Sequence, residues 1–369
     1  MSRLDTFFRL GVFAAAVSLA SGAIAQEPPR VHFYNWSDYI ADDTLPKFTQ
    51  ETGISVTYDV YDSNEVLEAR LFAGNSGFDI VVPTSTHIAR HINAGIYLEI
   101  DRSKIPNYDT LDPTIMRLIG AVDPGNKFGV PYMWGTTGVG YNVDKIREIF
   151  GEDAPTDSWD LVLKPENIAK LASCGVAFLD APTEIFPTVL NYLGMDPTST
   201  NPRDYSGPAL EHLMKLRPHI TYFHSSRFIT ELANGDICAV VGWSGDILQA
   251  RDRAEEAGNN VDIAYYIPKE GAHLWVDIMA IPKDARHPDN AHKLISYLLS
   301  PENMAGITNY VAYANPVPAS KPFVDEAILE DVGIYPSDEV MEKLFTVGDL
   351  PQNVHREMTR AWTRVRTGR

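Results

Sequence analysis

The sequence predicts an α/β layer sandwich divided into two lobes. Two observations carry that expectation. Across the first hundred residues, short apolar runs of strand character alternate with stretches of helical periodicity, the pattern of repeated βαβ units. The chain also has 369 residues, more than one hydrophobic core usually organises. Sheets of this kind bind ligands at the carboxyl ends of their strands, so the residues that end each strand are the first candidates for a site.

In chain order, an apolar strand over 31–34 leads into Trp36, Ser37, Asp38 and Tyr39. Read locally, Ser37 is a helix N-cap and Asp38 belongs to the first turn. A helix over 45–51, stopped by Gly53, precedes a strand over 54–60 and a helix over 65–72. The nearly all-apolar run 78–83 reads as a parallel strand buried on both faces, ending at Thr84, and a helix over 87–93 follows, closed by Gly95. The glycine- and threonine-rich segment 128–142 is expected to cross between the lobes. Helices over 165–172 and 205–216 and a strand over 237–242 build the second lobe, and strands over 263–267 and 277–281 return to the first. The tail, 355–369, carries five arginines against one glutamate, with Met358, Ala361, Trp362 and Val365 on one helical face, as in a docked terminal helix. The expected division is 26–134 with 258–304 for lobe 1, and 135–257 with 305–369 for lobe 2.

Residues 1–25 read as a cleaved signal peptide. Arg3 and Arg9 accompany an apolar run over 10–20, and Ala23-Ile24-Ala25 fits a cleavage site before Gln26. That run is too short for the roughly 20 residues of a membrane span. The expectation is an exported, soluble chain of 344 residues. Losing two arginines and one aspartate with the leader takes the formal net charge from −18 to −19. Such a surface disfavours nucleic acid and anionic lipid and draws small cations. Only two cysteines exist, Cys174 and Cys238. In an oxidising compartment one disulfide is the simplest use of them, with two buried free thiols as the alternative.

Enzyme motifs fail. His87-Ile-Ala-Arg-His91 has the spacing of a zinc pair, but Ile88 stands where a metalloprotease needs glutamate, so a surface helix with two histidines is the reading. Gly242-Trp-Ser-Gly-Asp246 resembles a nucleophile elbow, yet Asp246 replaces the second glycine. Gly138-Val-Gly-Tyr-Asn-Val143 lacks the third glycine of a dinucleotide fingerprint, and no Walker lysine motif occurs. No catalytic group, metal or cofactor is expected.

What does recur is an aromatic beside a carboxylate at the end of an element. Trp36 to Tyr39 is repeated in kind by Trp243 to Asp246 and by Trp275 to Asp277, with Tyr310 to Asn315 as a further aromatic stretch and Asp180 to Glu184 as a further acidic turn. Each alone reads as structural; together they suit an alkyl diamine. Its ammonium groups need carboxylates or π-faces in place of water, because an unpaired buried charge is costly. Cation–π contacts contribute about 0.5–2 kcal/mol each, and a four-carbon stem between rings about 3 kcal/mol. Micromolar binding requires about 8 kcal/mol net. A quaternary-ammonium receptor for choline or betaine would use aromatics too, but not so many carboxylates. An amine-processing enzyme is the reading from a different class.

With those stretches in view, the chain resembles the periplasmic polyamine-binding proteins of ABC importers, closest to the putrescine-binding members. The resemblance spans the mature chain and rests on FYNWSDYI, GFDIVVPTS, YMWGTTGVGYN, YFHSSRFITELANGDICAVVGWSGD, the W-V-D at 275–277, YANP and AWTRVRTG. It implies a two-lobed periplasmic-binding-protein fold of type II, with the ligand in the interlobe cleft and hinge closure. It implies that Trp36, Ser37, Asp38, Tyr39 and Thr84 form the first-lobe wall. Glu184, Ser225, Trp243 and Asp246 would form the second-lobe wall, with Trp275, Asp277 and Tyr313 completing the box. Asp246 and Asp277 would anchor ammonium groups, with Glu184 and Asp38 holding the other end directly or through water. It also implies a Cys174–Cys238 disulfide, a monomer, and a permease with its ATPase as partners. Trp275 stands where putrescine-type relatives often carry phenylalanine, and His87 where they carry an apolar residue beside the pocket mouth, so spermidine, agmatine and cadaverine stay open beside putrescine.

Overall fold

The computed structural model describes residues 27–369, so the leader expected at 1–25 lies outside the described residues. Nine strands are found among the described residues: β1 Arg30–Trp36, β2 Ser55–Tyr61, β3 Ile80–Val81, β4 Gly129–Asn142, β5 Val176–Phe178, β6 Tyr222–Phe223, β7 Ala239–Trp243, β8 Ile263–Tyr266 and β9 Leu274–Ala280. Their order is β2-β1-β3-β9-β4-β7-β5-β6, with β8 also on β4. β1 pairs in parallel with β2 and β3, and β5 in parallel with β6 and β7, as βαβ units require.

The segment expected to cross between lobes is the 14-residue strand β4. From Gly129 to Thr136 it pairs antiparallel with β9, and from Thr137 to Tyr141 with β7. One continuous strand therefore serves two half-sheets. Two separate cores follow from it. One gathers β1, β2, β3, β9 and residues as far as Ile334; the other runs from Val139 to Ala272 and resumes from Val347 to Val365.

Two expectations about the later segments need correction. Ile263–Tyr266 does not return to the first lobe; it pairs with Val139–Asn142, the outer half of β4. The stretch from 305, assigned to the second lobe, keeps Val311, Tyr313, Val317 and Ile334 in the first core until the chain crosses again before Val347. In both places the composition suits either core, and the choice is made by pairing and packing with residues far away in sequence.

Locally the chain behaves as its residues dictate. Gly53 closes the helix Thr44–Thr52 in the left-handed region, at φ 73°, where a glycine has no Cβ to clash. The terminal helix Gln352–Thr367 buries Met358, Ala361, Trp362 and Val365. Trp362 packs edge-on against Phe223 at 5.1 Å and donates its indole N–H to Asp180 at 2.8 Å. Cys174 and Cys238 form the expected disulfide, with Cα atoms 5.5 Å apart. Ser37 caps no helix, because residues 37–38 form a turn and the next helix begins at Thr44. His87 and His91 are not on the surface either. Both are buried, His91 between the Tyr97 hydroxyl and the Glu68 carboxylate. No described helix is long and apolar enough to cross a membrane.

Candidate functional site

A cleft enclosing about 430 Å³ of empty space, its open mouth included, lies where β4 passes from one half-sheet to the other. It is lined from both sides. β1 contributes Trp36, followed by Ser37 and Tyr39, and the helix Ser85–Asn93 is preceded by Thr84. From the second core come Glu184 at the start of the helix Pro182–Tyr192, Ser225, Trp243 at the end of β7, and Asp246 in the first turn of Ser244–Ala257. β9 supplies Trp275 and Asp277, and Tyr313 follows the helix Pro301–Val311.

The aromatic rings touch one another, and the contact of Trp36 with Trp243 crosses between the lobes. Trp36 meets Trp243 edge-on at 5.6 Å, Tyr39 meets Tyr313 at 5.1 Å, and Trp275 meets Tyr313 at 5.4 Å. Backbone space is part of this design. Gly135 pairs with Trp275 in the sheet, and a Cβ there would stand 2.9 Å from the indole. Gly245 leaves room for the Tyr313 ring in the same way.

Two carboxyls sit inside this box with hydroxyls as their partners. Asp277 accepts from the Thr84 hydroxyl at 2.6 Å and from the Tyr39 hydroxyl at 2.8 Å. Thr84 is itself gripped by Asn64, which donates to its hydroxyl at 3.1 Å and accepts from its amide at 3.2 Å. Asp246 accepts from the Tyr313 hydroxyl at 2.8 Å, and that hydroxyl accepts from the Asp246 amide at 3.1 Å. Burial pushes both carboxyls up to about 7, against the opposing pull of those hydrogen bonds. Glu184 is held by the Thr137 hydroxyl and the His273 ring, both at 2.7 Å. Two polar atoms of the lining, Ser225 Oγ and Trp275 Nε1, are buried without a hydrogen-bond partner among the described residues.

Every sequence-derived candidate lines this cleft except Asp38. Asp38 adopts a left-handed φ of 53°, which turns its side chain outward, where it pairs with Arg253 at 2.7 Å. It bridges the two lobes at the rim instead of facing the interior. Asp62 and Asn64 line the cleft and were missed. They directly follow β2, so the strand-end rule that found Trp36 and Thr84 covers them too. His87 faces a second chamber rather than this cleft; Asp62 and Ser225 are shared between the two. What the geometry can do is bind: it offers buried negative charge between π-faces.

The profile described as bacterial extracellular solute-binding protein matches residues 44–334. The chain belongs to that family. Among curated relatives it is 52% identical to the putrescine-binding periplasmic protein PotF of Escherichia coli, over 100% of both chains. It is 54% identical to the putrescine-binding periplasmic protein SpuD of Pseudomonas aeruginosa, over 96% of each. A solved structure of the spermidine/putrescine ABC transporter substrate-binding protein PotD of Streptococcus pneumoniae aligns with a TM-score of 0.74 at 28% identity, covering 92% of this chain and 99% of that one. The two half-sheets joined through β4 are thus the two lobes of a type II periplasmic-binding fold, and this family member is a binding protein, not an enzyme.

Proposed function

We propose that the protein is the periplasmic receptor of an ABC importer and captures a linear polyamine, putrescine foremost, between its lobes. The observation that carries this reading is the pair Asp246 and Asp277. Both are buried among aromatic rings, and among the described residues no lysine or arginine forms an ion pair with either. Two ammonium charges would supply what the protein withholds, and the methylenes between them would lie against Trp36, Trp243, Trp275 and Tyr313. Ser37, Tyr39, Thr84, Ser225 and Glu184 would complete the contacts, with Asp62 and Asn64 added to the wall. The names borne by the relatives at 52% and 54% identity favour putrescine.

In this reading the leader is removed after Ala25 and the mature chain acts as a monomer. Its lobes comprise about 27–136 with 274–334, and 137–272 with 347–369. Closure on the ligand creates the surface that a membrane permease and its ATPase accept. Calorimetric titration with putrescine, cadaverine, agmatine, spermidine and glycine betaine at one ionic strength tests it. The expected result is binding of the amines, tightest for putrescine. No heat with any amine would refute the reading, and a preference for glycine betaine would replace it with a quaternary-ammonium receptor.

A further inference from the structure

Glu184 is held from behind by the strands that join the lobes. Its Oε2 accepts from the Thr137 hydroxyl and from His273 Nδ1, each at 2.7 Å. A carboxylate only accepts, so the ring nitrogen facing it carries the proton. The other ring nitrogen, Nε2, is buried with no hydrogen-bond partner among the described residues. The imidazole is fully buried and stacks on Phe345, with centroids 5.8 Å apart and planes inclined by 14°. It has the place of a core aromatic that was given one polar task.

The two donors are placed where the chain passes between cores. Thr137 is the residue at which β4 exchanges β9 for β7, and His273 directly precedes β9. The Thr137 amide donates to the His273 carbonyl at 3.0 Å, so the two crossings brace each other. A third is tied in, because His273 also bridges to Phe345 in parallel register. Glu184 thus has one oxygen fixed to the joint of the molecule and the other, Oε1, unshared with any described donor. A lysine or arginine in this place would neutralise the carboxylate it held. An imidazole donates the bond without bringing a permanent charge.

We infer that His273 is a positioning residue of the amine site: with Thr137 it locks Glu184 onto the crossing strands and presents Oε1 to the second ammonium of the ligand. The inference rests on the polyamine reading above. Binding to an ammonium gains from an acceptor that is already oriented, since less ordering is left to be done on association.

The test is a mutant cycle read by putrescine calorimetry, with the wild-type protein as the control for the polyamine reading itself. His273→Phe keeps a ring against Phe345 and removes the donor; His273→Asn keeps an N–H near the Nδ1 position. His273→Phe should weaken binding about tenfold, the loss of one hydrogen bond to a charged group. His273→Asn should recover most of that loss, and in a Glu184→Gln background His273→Phe should cost little more. A merely structural histidine would lower the melting temperature of the ligand-free protein and act additively with Glu184→Gln. Wild-type affinity in His273→Phe, no recovery in a folded His273→Asn, or additivity in the cycle would each overturn the assignment. Should His273→Phe fail to fold, Thr137→Val removes the other donor and must show the same dependence on Glu184. Wild-type protein that ignores putrescine would instead refute the polyamine reading.

Discussion

Burial pushes the Asp246 and Asp277 carboxyls up to about 7, well above the value of an unfolded aspartate. An alkyl ammonium, like that of lysine, stays charged throughout the range where these groups titrate. A bound cation favours the ionised form, so binding at or below neutral pH must release protons. Affinity should therefore be flat above about pH 7.5 and fall below pH 7, by up to about tenfold per unit for each carboxyl. Calorimetry in buffers of different ionisation enthalpy would read the released protons directly; equal heats at pH 6 would contradict the assignment. The same shift acts on stability with a definite sign. The folded carboxyl holds its proton more tightly than the unfolded one, so its contribution is full below about pH 4 and lost as pH rises through about 7. Asp246→Asn removes that dependence while keeping an acceptor for the Tyr313 hydroxyl. Ligand-free Asp246→Asn should melt above the wild type at pH 8 and match it near pH 4. Its putrescine binding should fall about a hundredfold or more, because one ammonium loses its charge partner.

Among the elements, the first turn of the helix Ser244–Ala257 is tightly constrained. Alanine is intrinsically a better helix residue than glycine by about 1 kcal/mol. At Gly245, however, the space of a Cβ is filled by the Tyr313 ring. Gly245→Ala should therefore lower the melting temperature, at an overpacking cost of about 1–3 kcal/mol, and displace the ring that holds Asp246. Weaker putrescine binding together with lower stability is the expected pair of outcomes; a stabilised Gly245→Ala protein that binds normally would show that the ring has room to move. Such contacts are invisible to a sequence pattern, which registers only that a glycine precedes an aspartate. The alternation of strands and helices was legible because period and length are local properties. The box was legible because Trp36, Trp243 and Trp275 each sit beside a carboxylate at a strand end. The partner of Ile263–Tyr266 was not, since either half of β4 could accept an apolar strand and the register is chosen by side chains more than a hundred residues away. Asp38 was misplaced because its direction depends on a positive φ that composition does not announce. His273 escaped notice for a related reason: nothing in His-Leu-Trp-Val-Asp tells a buried donor from a solvated ring.

Across the molecule, two kinds of contact hold the lobes together around the cleft. At the rim, Asp38 pairs with Arg253 at 2.7 Å, but their side chains are 39% and 40% exposed. A pair so open to water contributes about 0–1 kcal/mol and is screened by salt. Inside, Trp36 meets Trp243 edge-on, while Asp246 and Asp277 face a common space and disfavour each other's charge. Without a cation, closure thus gains an aromatic contact and a weak clasp but brings carboxylates together in a dry site. With a diamine, the same carboxylates become the strongest reason to close. Solution scattering should accordingly show a larger radius of gyration for the ligand-free protein, falling when putrescine is added. The two contacts should also separate by salt. Arg253→Ala should weaken binding no more than about fivefold at low salt and hardly at all at high salt. Trp243→Ala removes a ring of the box and should weaken binding about a hundredfold at either ionic strength. If Arg253→Ala proved as damaging as Trp243→Ala, and equally so in high salt, the rim pair rather than the charged interior would control closure, and the cation would be a passenger in a clasp that shuts by itself.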